Sequence, residues 1–150
     1  MRLWHYKLIP FLPKSQLLAQ WRELNCIFKN KPRHILINYV YEYPAKALYS
    51  YSLRVINQMH ERGYRIKSFD NFKRYFEDCA DELSLNNPWL IRPDQANPFP
   101  KHHEVRYFEQ CFFNLEEKYD RGQKDFTNEQ YEALLTFYYE QMIKYTTFHY

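Results

Sequence analysis

The sequence is short of glycine, with 2 in 150 residues. That scarcity argues against a sheet-rich fold, which spends glycines on tight hairpins. No apolar run approaches the roughly 20 residues a membrane span needs. The opening has no uninterrupted apolar stretch of the kind that makes a secretory signal, because Arg2, His5 and Lys7 break it, so a cytoplasmic protein is expected. Cys26, Cys79 and Cys111 are odd in number and far apart, with no C-x-x-C among them, and read as reduced thiols. The chain also lacks H-E-x-x-H and any spaced Cys/His set. The neighbours His102, His103 and Glu104 point in different directions on a helix, so no metal is expected, and no cofactor. G-x-S-x-G, P-loop and dinucleotide fingerprints are missing too, as are internal repeats.

Aromatic side chains are abundant: 15 Tyr, 12 Phe and 3 Trp take the aromatic share to 20%. Tyrosine gives a helical protein apolar area with a polar tip. Charge is distributed unevenly. Residues 1–75 hold 14 Lys and Arg against 4 Asp and Glu, a net of +10, while residues 76–150 hold 7 against 14, a net of −7. The two halves either scatter their charges over one surface or build a basic face suited to a polyanion.

Periodicity predicts a compact all-α fold of about five helices in one domain, 1–150. The first helix runs from Leu12 to about Lys29, with Leu17, Trp21, Leu24 and Phe28 as its inner stripe. Gln16, Glu23 and Ile27 share one flank of that stripe and Arg22 takes the other, which places Glu23 at the border of the core. Residues 30–43 read as either a short helix or extended chain. A second helix spans Ala45 to about Arg62, stopped by Gly63, and a third runs from a Ser68 cap to about Leu83. Asn86 to Pro100 is a proline-rich loop. The fourth helix runs from about His102 to Arg121 and ends at Gly122, and Thr127 with Gln130 forms a capping box for the last.

The order of several short pieces resembles the pyrimidine-dimer DNA glycosylases of the phage endonuclease V type. These pieces are Arg2 beside the N-terminus, L-x-x-x-x-R-E-L from Leu17 to Leu24, Arg62-Gly63-Tyr64, His103-Glu104, and L-E-E-K from Leu115 to Lys118. The opening M-R-L-W-H-Y-K-L-I-P looks like a bacterial branch of that family. The resemblance implies a helical N-glycosylase and AP lyase acting in DNA repair. Its nucleophile is an N-terminal α-amine, here that of Met1, and its essential carboxylate is that of the R-E pair, here Glu23. Arg2 is too large for routine removal of an initiator methionine, so Met1 is expected to be retained, with any formyl group removed. Three positions depart from the family: Gln16 replaces a His, Cys26 an Arg, and Asn114 another Arg.

The chemistry is sound in its own right. An α-amine has a reference pKa of about 7.7–8.0, against about 10.4 for lysine, so a useful fraction is unprotonated near neutrality. A carboxylate beside it can stabilise positive charge on a sugar and shuttle protons. The competing reading of Glu23 is a surface ion pair with a nearby Arg or Lys. Arg2, Arg22, Lys29, Lys31, Arg33 and Lys118 are the DNA-binding candidates, with Lys7 as a further cation. Trp4, His5, Tyr6 and Trp21 could stack on a base, against core packing, which suits Trp21 better. The leading expectation is thus a monomeric enzyme acting on damaged or abasic double-stranded DNA. Behind it stand a non-catalytic nucleic-acid-binding protein of the same fold and a helical adaptor with a tyrosine-rich surface. If the basic half meets DNA, affinity for duplex DNA falls by orders of magnitude between about 50 and about 200 mM salt. A filter-binding titration showing equal affinity at both would contradict it.

Overall fold

The structure is a computed structural model and describes residues 1–148, with side chains described through Thr146. It is all-helical, with no strand among the described residues. Five α-helices follow in order: α1 (Lys14–Asn30), α2 (Ala45–Glu61), α3 (Asp70–Tyr75), α4 (Val105–Asp120) and α5 (Asn128–Phe148). Short 3₁₀ segments lie at Tyr6–Phe11, Asn38–Glu42, Glu77–Cys79 and Pro88–Leu90.

Helix ends follow local chemistry. Both glycines sit just past a helix with positive φ, Gly63 at 77° and Gly122 at 85°. Tyr64 N–H bonds back to the Met59 carbonyl and Gly63 N–H to that of His60, which satisfies the end of α2. At α5 the capping box forms as expected. Thr127 N–H donates to Gln130 Oε1 at 3.0 Å, and Gln130 N–H donates to Thr127 Oγ1 at 3.2 Å. Pro13 precedes α1 and has no side-chain cap to offer. Asp125, from the turn before α5, supplies one by accepting from Ser15 N–H at 2.6 Å.

One expectation needs correction, and one open reading is resolved. The third helix stops at Tyr75 and gives way to a 3₁₀ turn, so Glu77 to Leu83 is not α-helical. Phe76 is fully buried against Phe28, Tyr49 and Phe72, and that aromatic cluster fixes the chain where it turns. The ambiguous residues 30–43 resolve as a turn around Ile35 followed by 3₁₀ Asn38–Glu42.

Helix α2 is the centre of the molecule. Leu48 through Leu53 are buried without interruption, and α1, the first two 3₁₀ segments and Pro88–Leu90 all pack on it. Helices α4 and α5 form a hairpin joined by stacked rings, Phe112 on Tyr138 at 3.8 Å and Tyr119 on Tyr131 at 4.0 Å. Between these two groups runs the N-terminal segment, and its buried residues Leu3, Trp4, Leu8 and Ile9 belong to one continuous core with both.

His5 and His103 stack inside this core at 5.3 Å. His103 Nδ1 accepts from Tyr6 N–H at 3.2 Å, and its Nε2 meets the Tyr39 hydroxyl at 2.7 Å. His5 Nδ1 accepts from Lys7 N–H and its Nε2 donates to the His103 carbonyl at 3.0 Å. Each ring therefore has an acceptor at Nδ1 and a proton at Nε2. Burial pushes His5 down to about 3, opposed by its bond to the His103 carbonyl, and pushes His103 well below its ordinary value. The unfolded chain takes up these protons near pH 6.5 while the fold refuses them. Stability is therefore complete above about pH 6.5 and falls as pH drops from there toward 3. Urea unfolding at stepped pH should show this slope, and NMR should show both rings neutral at pH 5. A protonated His5 or His103 signal at pH 5 in folded protein would contradict the assignment.

Candidate active site

Residues 3–5 are buried, flanked by half-buried Arg2 and Tyr6, and have no strand partner, so the backbone groups of this segment need partners elsewhere. Side chains supply them. Gln20 Oε1 on α1 accepts from Trp4 N–H at 2.7 Å, and Gln20 Nε2 donates to the Arg2 carbonyl at 3.1 Å. Tyr51 on α2 donates to the Trp4 carbonyl at 2.6 Å and lies 2.9 Å from Gln20 Oε1. Tyr107 on α4 donates to the Leu3 carbonyl at 2.5 Å, and Cys111 Sγ receives His5 N–H at 3.4 Å. Gln20, Tyr51 and Cys111 are completely buried. Burial raises the Cys111 thiol above its ordinary pKa, so it stays a protonated packing group.

This clamp carries the chain start to the flank of α1. Met1, Arg2 and Trp4 line a cavity of about 340 Å³ together with Gln16, Gln20, Glu23, Leu36, Asn114 and Lys118. The volume lies within the usual range of small-molecule sites, about 300–1,000 Å³. Glu23 is half-buried and receives hydrogen bonds from Gln20 Nε2, at 3.1 Å, and from the Arg2 backbone N–H. Desolvation raises its pKa above the ordinary carboxylate value, partly offset by the positive N-terminus, those two bonds and Arg22. Among the described residues no ion pair within 4.0 Å joins Glu23 to a cation. The surface ion pair expected as the alternative for Glu23 is absent from these residues. The positive N-terminus acts on Glu23 through its charge, and Met1 and Glu23 line the same cavity.

Of the expected site residues, the cavity brings together Met1, Arg2, Glu23 and Lys118, with Arg22 exposed beside Glu23. Lys31 and Arg33 line a separate hollow of about 340 Å³ with Tyr41, Tyr43 and Tyr75. There Lys31 lies over the Tyr75 ring and Arg33 over that of Tyr41. Lys29 is exposed in the last turn of α1. Lys7 is turned to the protein itself, donating to Gln141 and Tyr145 of α5. Trp4 and His5 are buried and do not offer a free ring to a base, and Trp21 packs edge-on against Phe28 and Phe69. Tyr6 is half-buried beneath Arg54, which lies 5.0 Å from its ring centre. His103 serves the fold by holding the Tyr6 backbone, and no metal-binding cluster of His, Cys, Asp or Glu occurs among the described residues. Of the aromatic C-terminal residues, Tyr145 holds Lys7, whereas His149 and Tyr150 lie outside the described residues.

A larger cavity of about 590 Å³ lies between α2 and the Trp89–Gln95 loop. It gathers none of the expected catalytic residues, and its central Arg54 is committed to the carbonyls of Asp94 and Ala96. The expected catalytic residues Met1 and Glu23 line the smaller cavity instead.

Residues 1–72 match the family model of the pyrimidine dimer DNA glycosylases. The match takes in Met1, Arg2, Gln20, Glu23 and Leu36 on the cavity wall, while Asn114 and Lys118 come from beyond it. The family resemblance read from the opening and the R-E pair is thereby shown, and the all-helical fold accords with it. No curated protein and no solved structure gives a significant match. The match supports a DNA-repair glycosylase kind of function. No helix among the described residues is long and apolar enough to cross a membrane.

Sequence reasoning passed over Gln20, which does most to hold the site. A polar residue one turn after Leu17 and one before Leu24, on the inner face, was the available signal. Gln20→Leu keeps the volume but strands the Trp4 N–H and frees residues 2–4. It should cost at least about 1–3 kcal/mol. Urea unfolding measures this, and a loss under about 0.5 kcal/mol would show that the clamp is dispensable.

Proposed function

We propose that the protein is a DNA N-glycosylase and AP lyase for damaged or abasic double-stranded DNA. Its nucleophile is the α-amine of Met1, present as the free N-terminus, and its acid–base group is Glu23. The observation that supports this best is the shared cavity, in which a buried clamp sets the chain start against a desolvated carboxylate. In the lyase reaction the amine adds to C1′ of the abasic sugar, and loss of water gives the imine. Removal of a C2′ proton then expels the 3′ phosphate by β-elimination, which breaks the strand. Hydrolysis of the imine releases the amine. On a damaged nucleotide the same amine displaces the base at C1′.

Glu23 suits both halves of this work. As a carboxylate it stabilises the cationic sugar and imine, and its raised pKa brings it closer to neutrality, where a proton can be passed in either direction. All but Lys118 of the cations assigned here come from the basic first half of the chain, residues 1–75. Among the described residues the one ion pair within 4.0 Å is the exposed Arg121–Glu117, and no Lys or Arg of residues 1–75 belongs to it. We assign Arg2, Arg22 and Lys118 to phosphates near the reacting sugar, and Lys29, Lys31 and Arg33 to phosphates farther along. No cofactor or metal takes part in this scheme, and the working form is a monomer in the cytoplasm.

Gln16 and Asn114 on the wall stand where the family carries His and Arg, which favours one second reading, a DNA-binding protein with a silent site. Borohydride reduction on abasic duplex DNA separates the two. A protein with a free Met1 amine becomes covalently linked, with the adduct on Met1 by mass spectrometry. One extended at the N-terminus binds but is not linked, because the amine has become an amide. Equal trapping of both forms, or an adduct on a lysine, would rule out the assignment. Glu23→Gln should keep binding and lose at least about 10²-fold in cleavage. In the parent, the acid limb of the cleavage rate should lie above the ordinary glutamate range. Parent-level cleavage by Glu23→Gln would reduce Glu23 to a structural role.

A further inference from the structure

The turn between α1 and the second 3₁₀ segment carries Ile35 and Leu36, two large aliphatic side chains turned to solvent, 86% and 40% exposed. Exposed aliphatics scattered singly are ordinary. This pair is set apart by its frame and its neighbours.

The frame is closed. His34 N–H donates to Asn38 Oδ1 at 2.7 Å, and Leu36 N–H donates to His34 Nδ1 at 3.2 Å. The His34 carbonyl receives both Ile37 and Asn38 N–H groups at 2.9 Å. Ile37 is completely buried, and Tyr41 O–H donates to the Pro32 carbonyl at 2.7 Å. Ile35 therefore projects from a turn whose backbone is already ordered, and binding through it loses little conformational freedom.

The neighbours lie on both sides. Lys31 and Arg33 of the same loop line the tyrosine-walled hollow, and Leu36 lines the cavity of Met1 and Glu23. Along six residues the chain thus presents two cations, an apolar tip and a wall of the reactive cavity. Cations on one side hold a phosphodiester backbone against the loop. An aliphatic tip beside them is the means by which proteins part stacked bases and bend a duplex. A sugar inside a duplex is beyond the reach of an amine in a recessed cavity until the stack is opened.

We propose that Ile35 is a wedge that enters the base stack of duplex DNA beside the reacting nucleotide, with Leu36 guiding the opened sugar toward Met1. This rests on reading the cavity as a DNA site. It does not require that the chemistry occur there. The occupant of the loop is double-stranded DNA, because the flanking charge is positive and residues 1–75 carry a net +10.

The test uses a duplex with a tetrahydrofuran abasic analogue, which has no aldehyde to react, and 2-aminopurine as the neighbouring base. On binding by the full chain, unstacking should raise 2-aminopurine fluorescence several-fold. At saturating protein, Ile35→Ala should lose most of that rise, and Ile35→Leu should restore it. Lys31→Ala and Arg33→Ala should weaken affinity and leave the rise at saturation intact. Thermal melting confirms that each variant is folded, as expected for side chains this exposed. The wedge is overturned if Ile35→Ala matches the parent at saturation, if the parent binds with no rise, or if the parent does not bind the duplex. Failure of borohydride trapping on reactive abasic DNA bears on the Met1 mechanism alone, since the fluorescence signal needs no chemistry.

Discussion

The structure depends on burying an extended chain segment that has no strand beside it. A lone extended segment in a helical core would leave N–H and C=O groups unpaired, each at a cost comparable to a lost hydrogen bond. Here Gln20, Tyr51, Tyr107, Cys111 and His103 reach in from α1, α2, α4 and the turn before it, and between them serve residues 2–6. Side-chain partners in these positions fix the register of the segment residue by residue. Sliding it by one residue would break every bond at once. The placement of the first residue follows from that register.

The same burial sets the electrostatics. His5 and His103 are kept neutral because a charge in the core would have neither water nor a carboxylate to meet it. Glu23 sits where the core meets the cavity, desolvated enough to hold its proton more tightly, yet close enough to the N-terminal charge for that effect to be limited. The fold thus shields a neutral interior immediately behind a cavity edged by cations.

How much of this was legible in the sequence varied with the range of the interactions. The glycine stops at Gly63 and Gly122 and the Thr127–Gln130 cap are set by a few neighbouring residues, and they form where expected. The half-buried position of Glu23 at the border of the core was legible, because its spacing from Leu17 and Leu24 sets it on the flank of the buried stripe. The break after Tyr75 was not, because the aromatic cluster around Phe76 draws on α1 and α2 and leaves no trace in local periodicity. His103 raised the question of a metal because its neighbours are His and Glu, whereas its partner is a backbone N–H from 97 residues away. The cations of the first half were legible as a group. Their separation into two hollows was not, since it depends on how the loop after α1 turns.

The bond between His5 N–H and Cys111 spans 106 residues, and Tyr107 reaches Leu3 across 104. Contacts of such sequence separation form late, after the closure entropy of the intervening chain has been overcome. A ribosome-bound nascent chain ending before α4 has neither Tyr107 nor Cys111 with which to seat residues 3–5. Residues 3–5, early in the chain, are thus among the last to be seated, and the wall they help to build beside Glu23 waits on the acidic second half.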